Sequence, residues 1–129
     1  MSSRTIERYY SESSYEFKAQ EIIRENLFHD PTITIQTMAA CAAYAAVLRY
    51  ATRGRDEYPI APRNVHELRA VLVNHTVDVI HSLISQTRAK IQPGSYHVAR
   101  RIAQESIDNM LCVGDNAETL LVAESRTAA

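Results

Sequence analysis

The sequence predicts an all-α protein: an N-terminal helical arm followed by a compact helix bundle of about four helices. Three observations carry that expectation. Seven of the thirteen residues from Ala39 to Ala51 are alanine, the best helix former. The 129 residues hold only three glycines and four prolines, and no window alternates apolar and polar side chains as a half-buried strand would. Apolar residues instead recur at helical spacing, with Pro93-Gly94 and Gly114 as punctuation.

A first helical stretch is expected from about Ser3 to Phe28, with a candidate interruption at Ser11-Glu12-Ser13-Ser14. Its second half places Phe17, Ile22 or Ile23, and Leu27 at core spacing. Asp30-Pro31-Thr32 supply a cap and a first-turn proline for the alanine helix, expected over Thr32–Thr52. Arg53 to Pro62 reads as a connecting loop ended by two prolines. Asn64, with Glu67 three residues on, has the pattern of a capping box and opens a helix to about Ile91. On it Val65, Leu68, Leu72, Val79 and Leu83 form one apolar line, widened by Val71, Val77, Ile80 and Ile84. From Ser95 a further helix turns Ala99, Ile102, Ala103, Ile107, Met110 and Leu111 inward and stops at Gly114. Asp115 or Asn116 is placed to cap a short last turn. The divisions that follow are an arm over residues 1–30, a bundle over 31–123 and a loose tail over 124–129.

Small residues cover every side of the alanine helix, and no clear polar face precedes Arg49. Such a helix is normally buried all round. A single small core rarely encloses one, so Ala39, Ala42, Ala43 and Ala46 are expected to form a seam between subunits. That points to an assembly protein rather than an enzyme.

Charge and composition narrow the classes further. The formal net charge is −1, and twelve of the fourteen basic residues are arginine. Arginine is favoured where a planar fork meets carboxylate or phosphate, though a GC-rich or thermophilic genome gives the same bias. Cys41 and Cys112 stand far apart in apolar surroundings, so they imply neither a zinc site nor a disulfide and read as small buried groups. No apolar run approaches the roughly 18 residues of a membrane span, and the N-terminus lacks the apolar core of a signal peptide. A soluble, unsecreted chain with no integral membrane segment is expected.

Catalytic chemistry is thin. Asp78, His81 and Ser85 share one face of the long helix, but a working triad also needs an oxyanion hole and an exposed, strained nucleophile. A solvated polar stripe is the plainer reading. His75, on the apolar line, reads as a core or interface histidine, and it points away from His81, so the two share no metal. Gly54 and Gly94 stand alone, without a phosphate-binding loop. No catalytic residue, metal site or cofactor is expected.

The N-terminal segment carries more. Arg4, Arg8, Ser11, Tyr15 and Lys18 make a single stripe if the helix is continuous, and Arg24 follows. Arginines with hydroxyls on one line suit a phosphate backbone. An ordinary solvated face with internal salt bridges gives the same pattern. Arg49, Arg53 and Arg55 form a second basic group, which equally complements the dipole at a helix C-terminus.

Glu7-Arg8-Tyr9, Phe17-Lys18-Ala19 and Asp30-Pro31-Thr32-Ile33 before an alanine-rich helix resemble the start of the coat proteins of archaeal rod-shaped and filamentous DNA viruses. Tyr96-His97-Val98-Ala99-Arg100-Arg101-Ile102, followed by Asn109-Met110, is similar to a late helix of the same proteins. The resemblance covers about half the chain in short pieces. It implies a virion protein, made in the host cytoplasm, that pairs with itself or with a second related coat protein. Such dimers stack into a helical tube around double-stranded DNA held in A-form. The arm, Met1 to Asp30, would then wrap DNA, with Arg4, Arg8, Tyr15, Lys18 and Arg24 on phosphates and Arg49, Arg53 and Arg55 as further contacts. Backbone contacts carry no base information, so binding would not depend on sequence. Glu7, Glu12, Glu16, Glu21, Glu25 and Asp30 depart from a basic DNA-coating arm: either a more basic partner makes the main DNA contact, or these carboxylates meet arginines of the next subunit. Two other classes fit the same helices: a small subunit of a nucleoprotein effector complex, and an oligomeric adaptor without nucleic acid.

Overall fold

A computed structural model describes residues 6–26, 33–57, 62–86 and 94–121. Four helices dominate it: α1 (Tyr15–Asn26), α2 (Ile35–Glu57), α3 (Val65–Gln86) and α4 (Ser95–Cys112). A short helical turn over residues 116–121 closes the described chain, and no strand occurs among the described residues. None of the described helices is long and apolar enough to cross a membrane. The all-α bundle is as the sequence predicts.

Side-chain caps fix most of the starts. Ser14 caps α1: its Oγ accepts the Phe17 N–H at 3.1 Å and donates to the Ser11 carbonyl at 2.7 Å. Thr34 does the same for α2, accepting the Thr37 N–H at 3.1 Å, so that helix begins later than Thr32. Asp30, Pro31 and Thr32 lie outside the described residues. At α3 the Asn64 Oδ1 accepts the Glu67 N–H at 2.9 Å. Glu67 reaches back one residue further than a capping box requires, accepting the Arg63 N–H at 3.0 Å. Hydrogen bonds from the Arg63 backbone and side chain hold its carboxyl below the usual range. After α4, Val113 is extended and Gly114 takes φ +50°, while the Asn116 side chain donates to the Met110 carbonyl at the helix end.

Helix α2 is the centre of the molecule. It packs against α1, α3 and α4, and its residues enter every core cluster. Ala43, Tyr44, Val47 and Tyr50 meet Leu68, Leu72, Ile107 and Met110. Met38, Ala40 and Cys41 meet Ala19, Ile23 and Leu83. Ala39 and Ala42 cross Ala99 and Ala103 of α4 beside Ile80. Small side chains at a crossing let helix axes approach toward the short end of the 8–10 Å range, which explains alanine on both partners.

Several sequence expectations change here. Ala39, Ala42, Ala43 and Ala46 are 0 % exposed within the single chain, so they have no surface to offer another subunit in this fold. The seam they form is internal, because three neighbouring helices suffice to enclose α2. The helix also runs through Gly54 to Glu57, into the stretch read as a loop. The first helical stretch is broken: the chain turns over residues 8–14 before Ser14 starts α1. Nor does the core respect a boundary at residue 30, since Ile6, Tyr10, Ala19 and Ile23 are buried in it. Val65 is exposed, and the α3 core line runs instead through Leu68, Leu72, Thr76, Ile80 and Leu83. Thr76 joins that line because its hydroxyl is satisfied by the Val73 carbonyl at 2.6 Å.

Candidate nucleic-acid interface

The break at Ser11–Ser14 disperses the expected basic stripe. Arg8 lies in the turn before α1 and bonds Asp115 at 2.6 Å. Arg24, on α1, faces Glu21 at 3.4 Å. Both pairs are largely exposed, where an ion pair contributes about 0–1 kcal/mol, so neither arginine is strongly held. Tyr15 is exposed with its hydroxyl 3.5 Å from that of Thr37, and Lys18 is exposed without an ion pair among the described residues. Arg49 is half-buried and engaged within the chain. Arg4 and the side chains of Arg53 and Arg55 lie outside what the structure describes.

Carboxylates crowd the same N-terminal segment. A hydrogen bond with Glu7, and its charge, hold Glu12 above the usual carboxylate range. Next to them lies a cleft of about 350 Å³ lined by Glu7, Arg8, Tyr10, Ser14, Glu16 and Ser106 among others. Inside it the Tyr10 hydroxyl donates to Ser106 Oγ and Ser106 donates to Glu16, each at 2.8 Å. Burial pushes the Tyr10 phenol far above its usual range. This chain ties the N-terminal turn to α1 and α4, and with the Tyr9–Thr119 hydroxyl contact it makes residues 6–16 part of the bundle. The carboxylates of Glu7, Glu12 and Glu16 make this a poor surface for a polyanion.

A better one lies along the outer edge of α3 and α4. The two helices run antiparallel, because Arg69 and His81 of α3 meet Asp108 and Tyr96 of α4 in reverse order. Those two anchors are twelve residues apart on each helix, about 18 Å at 1.5 Å per residue. The Arg69 guanidinium grips both Asp108 oxygens, and the His81 and Tyr96 rings stack with centroids 4.5 Å apart. Near the stack, His97, Arg100 and Arg101 are all exposed. Tyr96 with Arg100 and His97 with Arg101 are i,i+4 neighbours on adjacent ridges of α4. Neither arginine makes an ion pair with a described residue, although Glu105 follows one turn after Arg101. Charge counting along the N-terminal segment misses this patch. The signal available was the run Tyr96-His97…Arg100-Arg101 itself, whose core partners Ala99 and Ala103 turn it outward.

The hydrolase geometry does not assemble. Ser85 Oγ donates to its own helix at the Ser82 carbonyl, 2.8 Å away, and His81 is stacked on Tyr96. His75 is buried on α3 as expected. No three His, Cys, Asp or Glu side chains converge among the described residues. Cys41 is buried, and that burial pushes its thiol up to about 12, whereas Cys112 is exposed at the end of α4 rather than buried. A maleimide should therefore label one thiol in the native protein, Cys112, and two after denaturation; mass spectrometry of the labelled peptides distinguishes them.

The chain matches no protein-family model, no curated protein and no solved structure.

Proposed function

We propose that the chain is a structural virion protein of the coat type, assembling as dimers into a helical filament on linear double-stranded DNA. It would grip the A-form duplex through its phosphates, without base readout and without a cofactor. The dimer partner is a second copy of the chain or a second related coat protein. With the alanines enclosed, subunit contacts fall to exposed side chains such as Tyr15 and Ile22 of α1.

The observation that carries the reading is Arg100-Arg101. Both are exposed, have no carboxylate partner among the described residues, and sit in one of the segments that resemble those coat proteins. Lys18, in another such segment, is equally exposed and unpaired among the described residues. Unpaired guanidinium groups bind phosphate without first giving up an ion pair. Each phosphate contact adds about 0.9 to the slope of log affinity against log salt on duplex DNA. Arg100→Glu/Arg101→Glu should therefore lower that slope by about 2 and weaken duplex binding at least tenfold at low salt. Anisotropy titrations across salt concentrations measure it, and electron microscopy with linear duplex tests for filaments. Unchanged binding by the double variant would remove the basis for the reading.

An oligomeric adaptor without nucleic acid is the second reading. Arg8 and Arg24 face Asp115 and Glu21 in the free chain, and the net charge is −1. It predicts assembly that is indifferent to DNA and to the double variant.

A further inference from the structure

We propose that the His81–Tyr96 stack is a platform for an unpaired nucleobase, so that the α3–α4 edge holds single-stranded DNA more tightly than duplex with the same number of phosphates. The inference rests on the nucleic-acid reading above and names what else the site accepts. His81 is exposed on α3, and Tyr96 covers one face of its ring at an interplanar angle of 26°. Tyr96 in turn packs against the cluster of Ala39, Ala42, Ile80, Ala99 and Ala103, which fixes the ledge in place before any ligand arrives.

A flat ring held on a rigid base, next to cations, matches what single strands use. Bases within a duplex hide their faces against one another, whereas an unpaired base offers a face to any aromatic side chain. Arg100, one turn from Tyr96, and Arg101, one turn from His97, supply the charge for the adjoining phosphates. Stacking needs no hydrogen-bond readout, so the preference would extend to any base.

The probe is a labelled thymidine oligomer of about 16 nucleotides, within the span such surfaces cover, against a blunt duplex with the same number of phosphates. Anisotropy titration at one salt concentration should show the single strand bound roughly tenfold more tightly, within the range of base–aromatic stacking. His81→Ala should abolish that preference, while His81→Phe, which puts another flat aromatic ring in place of the imidazole, should retain it. Equal or tighter duplex binding by the native protein overturns the platform. So does a His81→Ala variant that keeps the preference. If Arg100→Glu/Arg101→Glu binds both probes as the native chain does, the nucleic-acid reading fails and the platform falls with it.

Discussion

Leu72→Ala should lower the free energy of unfolding by about 2–5 kcal/mol, the range for emptying a filled core site. Leu72 is fully buried on α3, within the cluster that joins Tyr44 and Val47 of α2 to Ile107 and Met110 of α4. Truncation removes apolar contacts and leaves a cavity that three helices cannot easily close. Domains of this size have about 5–15 kcal/mol in all, so the loss is a large fraction of the total. Urea denaturation should show the midpoint falling with little change in slope. A loss below about 1 kcal/mol would mean that the core does not converge on Leu72.

Ala43→Leu should be destabilising by about 1–3 kcal/mol, through the opposite fault. Ala43 is fully buried beside Tyr10, Tyr44 and Leu72, and α2 has a helix on three sides. Three added carbons have nowhere to go without off-rotamer neighbours or a shifted backbone. Ala45→Leu is the control, because Ala45 is half-buried and a side chain there has an outward path. Thermal or urea unfolding of the two variants should separate them clearly. A folded Ala43→Leu chain with native stability but altered oligomeric state would return the alanines to an interface.

Much of the bundle was legible because its signals are local. Asn64 and Glu67 mark the start of α3 through cap chemistry, and Ala99, Ala103, Ile107 and Met110 give the inner face of α4 by spacing alone. What the sequence hid depends on partners distant in the chain. The alanine helix has the same composition whether its neighbours are other subunits or α1, α3 and α4. Only the assembled packing decides, and it favours enclosure. Similarly, Ser11 to Ser14 can continue a helix or cap a new one; Ser14 caps because its hydroxyl finds the Phe17 N–H and the Ser11 carbonyl together. Ser106 has no apolar character, yet it is buried, because Tyr10 and Glu16 satisfy its hydroxyl. For the candidate interface, arginine positions were plain, but which arginines were already paired was not. That depended on Asp115, a residue 107 positions from Arg8.

Enclosure of α2 also bears on how such a chain can diverge. From Met38 to Tyr44 seven consecutive residues are buried, so this stretch of helix has no outward side on which a larger residue can be tried. An inserted residue would rotate everything after it by about 100° and carry Val47 and Tyr50 away from the leucines they now fill against. Lineages descended from this fold are thus free to change on the outer faces of α1, α3 and α4, and almost not at all between Met38 and Tyr44. Recognition surfaces can be rewritten there while the scaffold beneath keeps its alanines.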